Sequence, residues 1–247
     1  MRLFRLIPFL MISVHFIAAQ EVDRVVAEMQ RAQAACRERM RPYASTRDYT
    51  IRKSDKERGA VKVVLSHPSP QEFHFEIIDS TGGMAERAVR KALENEAQIA
   101  RAPEVAEITP RNYRFELLGK EWLAGREHYV IGITPHERSK ALLDGRIWVD
   151  AETYRVRRVA GRVSKNPSFW VKEINLVLNF GEVRGMWLKT DSQAVAQIRW
   201  AGEYHFNAQD TDVALLRQPS VVARKNTPPT RIRTAAALAA SEAMLRP

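Results

Sequence analysis

"GRIWVDAETYRVRRVAGRV", Gly145 to Val163, carries the clearest strand–turn–strand signal in the chain. Its two halves alternate apolar and polar residues, the pattern of strands with one face buried. The intervening "DAET" reads as a turn, because an aspartate side chain can bond the backbone just ahead of it. Two strands joined this tightly must run antiparallel. Trp148 is expected to face inward. The arginines do not line up: Arg155 and Arg157 share one parity, Arg158 and Arg162 the other, so no single basic stripe forms.

The same texture extends in both directions. "NYRFELLGKEWLAGREHYVIGITP" precedes it and reads as strands with a hairpin through Gly125, ending at Pro135. "SFWVKEINLVLNFGEV", "MWLKTDSQAVAQIRWAG" and "EYHFNAQD" follow. Nearer the N-terminus, "RDYTIRKSD" and "GAVKVVLSH" flank "KERG", and "EFHFEIID" comes next. The connections are short and mostly carry Gly, Asn or Asp. No regular βαβ alternation is present, so a parallel sheet is excluded. The expected fold is mainly β (α+β): consecutive antiparallel strands in a meander, flat or curled.

Two helical stretches interrupt the strands. Glu21 to Arg41 repeats Val22, Val25, Val26 and Met29 at helical spacing, and Pro42 stops it. Met84 to Ala102 carries a thinner stripe, read as Met84, Ala88, Leu93, Ala97 and Ile99. A helix with so little apolar surface lies on a surface or caps an opening.

The ends of the chain differ from its middle. "MRLFRLIPFLMISVHFIAAQ" has a basic start, an apolar run and small residues at Ala18 and Ala19. That is the layout of a signal peptide over residues 1–19, with an uncleaved N-terminal anchor as the alternative. The chain is therefore expected to be exported. Residues 20–216 form the expected folded domain, and 217–247 a Pro-rich linker followed by an Ala-rich tail. The single cysteine, Cys36, cannot form an internal disulfide, so the fold must rest on its core.

Composition narrows the function. The formal charge is +10, from 39 Lys and Arg against 29 Asp and Glu, which biases the protein toward anionic partners. These basic residues are scattered, without the blocks of like charge found in nucleic-acid arms, so no nucleic-acid partner is expected. No nucleophile elbow, zinc-helix motif or phosphate loop occurs, and the six histidines lack ligand spacing. Asp150 and Glu152 are the best carboxylate pair, and the turn accounts for both. No catalytic residue, metal ligand or cofactor is expected. The aromatic residues say more: Trp122, Trp148, Trp170, Trp187 and Trp200 all fall in strand-like segments, and Trp170 is in phase with Ile174, Leu176 and Leu178. So much apolar sheet under two thin helices leaves room for a ligand.

The order of parts resembles the LolA-like superfamily, which includes periplasmic lipoprotein carriers and the N-terminal domain of the regulator RseB (MucB). The local match lies at Trp148, Val149, Asp150, Thr153, Arg157 and Trp187–Leu188, with Lys189 where proline is commoner. The resemblance implies a curved, unclosed half-barrel with helices as a lid over a hydrophobic cavity. It also implies lipid or lipoprotein acyl chains as ligand, and no catalysis. Family carriers hold the lid with a cavity arginine, but no position here matches it. The candidate cavity residues are Val22, Val25, Val26, Met29, Trp122, Trp148, Trp170, Ile174, Leu176 and Trp187. The readings to separate are a periplasmic carrier whose partners include a membrane surface; an envelope sensor binding a protein partner; and, more distantly, a hydrolase using Asp150 and Glu152.

Overall fold

The computed structural model describes residues 8–216, with side chains from residue 20 onward. The expected tail over 217–247 and the first seven residues of the expected signal peptide lie outside the described residues.

Ten strands form one antiparallel sheet. In chain order they are β1 (Tyr43–Lys53), β2 (Lys56–Ser69), β3 (Glu72–Ser80), β4 (Tyr113–Leu123), β5 (Arg126–Pro135), β6 (Leu143–Asp150), β7 (Val156–Val163), β8 (Val171–Val183), β9 (Met186–Ile198) and β10 (Gly202–Leu215). Two helices accompany them, α1 (Pro8–Glu38) and α2 (Gly83–Arg101). Among the described residues no helix is long and apolar enough to cross a membrane.

The spatial order is β3-β2-β1-β10-β9-β8-β7-β6-β5-β4. Each run of consecutive strands is a meander, as the alternation predicts. The join between the runs is not local: the first strand pairs with the last, from Tyr43 opposite Leu215 to Arg52 opposite His205. The two free edges are therefore β3 and β4, neighbours in sequence at opposite ends of the sheet. The segment between them, which contains α2, runs from one edge to the other. The sheet stays unclosed, with α2 packed beside the β3 edge and α1 beside the β4 edge.

The opening hairpin forms as read, with Leu143 opposite Val163 and Ile147 opposite Val159. Gly145 and Gly161 face each other across it. A Cβ on Gly145 would lie 2.2 Å from the Ala160 carbonyl oxygen and 2.4 Å from Gly161 Cα, so only glycine permits this approach. Arg157 occupies a bulge, because the register shifts between Trp148 opposite Arg158 and Val149 opposite Val156. Further bulges lie at Leu117–Gly119, Asn179–Phe180 and Ala44–Thr46. Each bends its strand and increases the local twist, giving a half-barrel rather than a flat sheet.

Both helices pack on the same sheet face. Val22, Val25, Val26 and Met29 of α1 bury against Ile131, Ile133, Ile147, Val149 and Val159. The α2 stripe is Ala85, Val89 and Leu93, with Ala97 and Ala100 partly buried, against Val61, Val63, Leu65 and Phe73. This corrects the sequence expectation for α2. Met84 is exposed, because the i, i+4 series through Ala85 puts the β-branched Val89 beneath the helix.

Candidate functional site

The helix-covered face divides into two apolar regions and a polar centre. On β1 the residues of one parity are Tyr43, Ser45, Arg47, Tyr49 and Ile51. Four of them suit a covered face and one is an arginine. Arg47 is only 3% exposed. Its guanidinium forks onto Asp210 of β10, donating from Nε to one carboxylate oxygen and from Nη2 to the other at 2.8 Å. Nη1 donates to Glu96 of α2 at 2.8 Å and to the Tyr49 hydroxyl at 3.3 Å. Glu96 also accepts from Lys189 of β9. Two cations and two carboxylates thus balance, and they tie α2 to three strands at once.

These groups set one another's protonation. Burial alone would raise the Glu96 carboxyl, but the charges of Lys189 and Arg47 outweigh it and hold it down at about 2. Burial works against a charged Arg47, and Glu96 and Asp210 overcome it, raising its affinity for the proton. Tyr49 is pushed up to about 12, first by burial. Glu96 and Arg47 therefore stay ionised across the physiological range. Beside it, the buried Ser45 hydroxyl has no hydrogen-bond partner among the described residues.

Between the two flanks lies an apolar strip on β8, β9 and β10. Register places Ile174 opposite Ala196, Leu176 opposite Ala194, and Phe206 also opposite Ala194. Ile174, Leu176, Leu178, Ala194, Tyr204 and Phe206 are all half-buried. Leu178 touches the edge of the α1 cluster, and Tyr204 and Phe206 the edge of the α2 cluster. Ile174, Leu176 and Ala194 belong to neither. Apolar side chains left half open on a face otherwise sealed by helices form a surface able to take an apolar ligand.

The ten sequence candidates separate on this geometry. Val22, Val25, Val26 and Met29 lie under α1, and Ile174 and Leu176 lie on the strip. Trp148 points the other way. Its neighbours Ile147 and Val149 are both in the α1 cluster, so strand alternation sends Trp148 to the opposite face. There it is buried by polar company: its indole N–H donates to Glu121 at 2.8 Å, and Arg158 and Arg146 cover its ring. Trp122 sits beside the β4–β5 turn and is 76% exposed. Trp170 precedes β8 in the β7–β8 connection and is 58% exposed, because the strand begins one residue later than its alternation suggests. Trp187 donates to the Val156 carbonyl at 3.0 Å and carries Arg155 and Arg157 against its ring.

Asp150 and Glu152 form the turn. One Asp150 oxygen accepts from the backbone N–H groups of Glu152 and Thr153 and from the Thr153 hydroxyl, at 3.1, 2.7 and 2.9 Å. Its other oxygen pairs with Arg126 at 2.8 Å. Both carboxylate oxygens are thus in structural use. Among the described residues, no three His, Cys, Asp or Glu side chains gather where they could hold a metal ion.

Arg47, Glu96 and Asp210 are not singled out by the sequence reading, and Lys189 is noted there only as a replacement for proline. One signal existed: Arg47 is in phase with Tyr43, Tyr49 and Ile51, and Glu96 is three residues beyond Leu93 on the buried stripe. A charge in phase with apolar residues marks a buried ion pair when its partner can be found.

A family model described as a family of unknown function (DUF5686) matches residues 105–209. No curated protein matches the chain. Among solved structures, the chain is similar to a LolA superfamily protein from Nitrosomonas europaea, at 13% identity and a TM-score of 0.44, covering 83% of this chain and 97% of that one. It is similar to an outer membrane lipoprotein-sorting protein domain from Vibrio parahaemolyticus, at 12% identity and a TM-score of 0.43, covering 84% and 95%. It is also similar to MucB, at 11% identity and a TM-score of 0.26, covering 77% and 92%.

Proposed function

We propose that this chain is an exported, non-enzymatic carrier that holds lipid or lipoprotein acyl chains against the helix-covered face of its sheet. The observation that carries this reading is the half-open apolar strip at Ile174, Leu176, Leu178, Ala194, Tyr204 and Phe206. Fully covering a side chain of the Leu or Ile class is worth roughly 1.5–3 kcal/mol. An acyl chain, flexible and unbranched, supplies that cover without needing a polar partner. Val22, Val25, Val26 and Met29 form the wall on the α1 side.

The ionic centre is the latch in this reading. Glu96 holds α2 down through Arg47 and Lys189, and a ligand enters when those pairs part and water takes their place. The first 19 residues direct export, and the periplasm is the compartment in which such a carrier works.

Uptake of a fluorescent fatty acid by delipidated protein tests the reading. The wild type takes up the probe saturably. Leu176→Asp, which puts a charge in the strip, weakens uptake at least tenfold, about 1.4 kcal/mol. Trp122→Ser leaves it unchanged. A wild type that takes up no probe overturns the carrier and leaves the envelope sensor, with a protein partner, as the reading of this fold.

A further inference from the structure

One end of the sheet carries an aromatic cluster that the carrier reading does not use. β8 begins where β9 ends, with Val171 opposite Ile198. The connection before β8 and the turn after β9 therefore meet. Phe169 and Trp170 come from the first, Trp200 from the second. Trp170 and Trp200 pack edge to face at 5.4 Å, Phe169 and Trp170 at 5.7 Å, and Phe169 and Trp200 lie 6.5 Å apart. Arg199 braces the group: its backbone N–H donates to the Trp170 carbonyl at 2.8 Å, its Nε to the Phe169 carbonyl at 2.7 Å, and its guanidinium lies over the Phe169 ring at 4.7 Å.

Order and exposure are in conflict here. Phe169, Trp170 and Trp200 are 68%, 58% and 81% exposed. Three packed aromatic rings facing outward are a liability in water alone. Trp200 also has φ +59°, in the left-handed region that a bulky side chain occupies at a cost and where Gly or Asn would sit easily. Beside the rings lies a recess of about 540 Å³ lined by seven residues. Arg138, Lys165 and Arg199 are three of them, and none of the seven is acidic.

We propose that this end of the sheet is a docking site for the surface of an anionic phospholipid bilayer. Indole and phenyl rings on a rigid tip suit the depth of the headgroups, where an apolar body and a polar N–H are both accommodated. The three cations match the negative surface. Charge complementarity selects a membrane over a protein groove, since a neutral apolar pocket would need no ring of cations. Trp122 lies at the opposite end of the sheet, on the β4–β5 turn, and supplies an internal control.

The test is co-sedimentation of the full chain with vesicles of phosphatidylcholine alone or with one quarter phosphatidylglycerol. Wild type binds the anionic vesicles, loses most of that binding at high salt, and shifts its tryptophan emission to the blue. The variant Trp170→Ser/Trp200→Ser loses at least tenfold in partition, as does Arg138→Gln/Lys165→Gln/Arg199→Gln, in line with the strength of single-cation contacts to anionic lipid. Trp122→Ser binds as wild type does. Every variant keeps residues 1–19, so any contribution of that segment cancels. The thermal melt of Trp170→Ser/Trp200→Ser matches wild type, because these exposed side chains support no core. Fatty-acid uptake is unchanged in both tip variants, which separates failure of this site from failure of the carrier reading. Equal binding by wild type and both tip variants overturns the proposal. So does tip-dependent binding to a purified envelope protein with none to anionic vesicles.

Discussion

At the scale of single residues, Arg47 is where most interactions converge. It joins strands 163 residues apart in sequence through Asp210, and a helix 49 residues away through Glu96. Removing one member of a buried ion pair strands the other, and typically costs roughly 3–5 kcal/mol. Arg47→Ala should lower stability by about that amount, read from urea unfolding, because it leaves Asp210 with no partner under α2. A loss below about 1 kcal/mol would show that water already screens the pair. His67 offers a second test. It stacks on Tyr43 at 4.5 Å and meets Phe73 edge-on at 5.0 Å. Burial pushes its pKa down from 6.5 to about 4, against the pull of Glu96. Between those values the unfolded chain holds a proton that the folded chain does not. Stability should therefore fall as pH drops from about 6.5, with the loss complete near 4. His67→Phe keeps the stack and should flatten that slope. An unchanged slope would place its origin in other groups.

Elements follow local rules, and that is why many of them were legible. The alternation in Tyr113–Pro135 and Gly145–Val163 is a record of which face is buried, and it names strands without reference to the rest of the chain. The Gly145–Gly161 contact adds a requirement the alternation does not express. Gly145→Ala puts a methyl into the facing backbone, and should destabilise by about 1–3 kcal/mol, visible as a lowered midpoint in thermal unfolding. A neutral result would mean that β6 and β7 can separate locally without loss. Where the local pattern failed, the cause was equally local. Trp148 shares a strand with Ile147 and Val149; the size of its ring points to it as the inward residue, but the two aliphatic neighbours occupy that face. Trp170 extends an apolar phase one residue beyond the point where β8 starts. The pairing of β1 with β10 and the Arg47–Glu96–Lys189–Asp210 group depend on contacts far apart in sequence. No window of neighbouring residues carries them.

Taken as a whole, the described residues form an open sheet with one helix packed beside each free edge. This sheet leaves β8, β9 and β10 half covered between two helix-packed flanks, and it holds α2 beside them by the charges at Glu96 as well as by the apolar stripe of the helix. Ion pairs at such a seam exchange readily with water once the helix lifts, whereas a packed apolar seam would resist. In the carrier reading, apolar surface grips the ligand while charge controls access to it. The net charge of +10 and the basic aromatic tip suit a protein that meets anionic surfaces. The most direct test of the carrier is mass spectrometry of a solvent extract from the purified full chain. The account predicts acyl lipid in stoichiometric amount with the wild type, and its loss in Leu176→Asp at unchanged fold. A clean extract from wild-type protein that also refuses added fatty acid would contradict it.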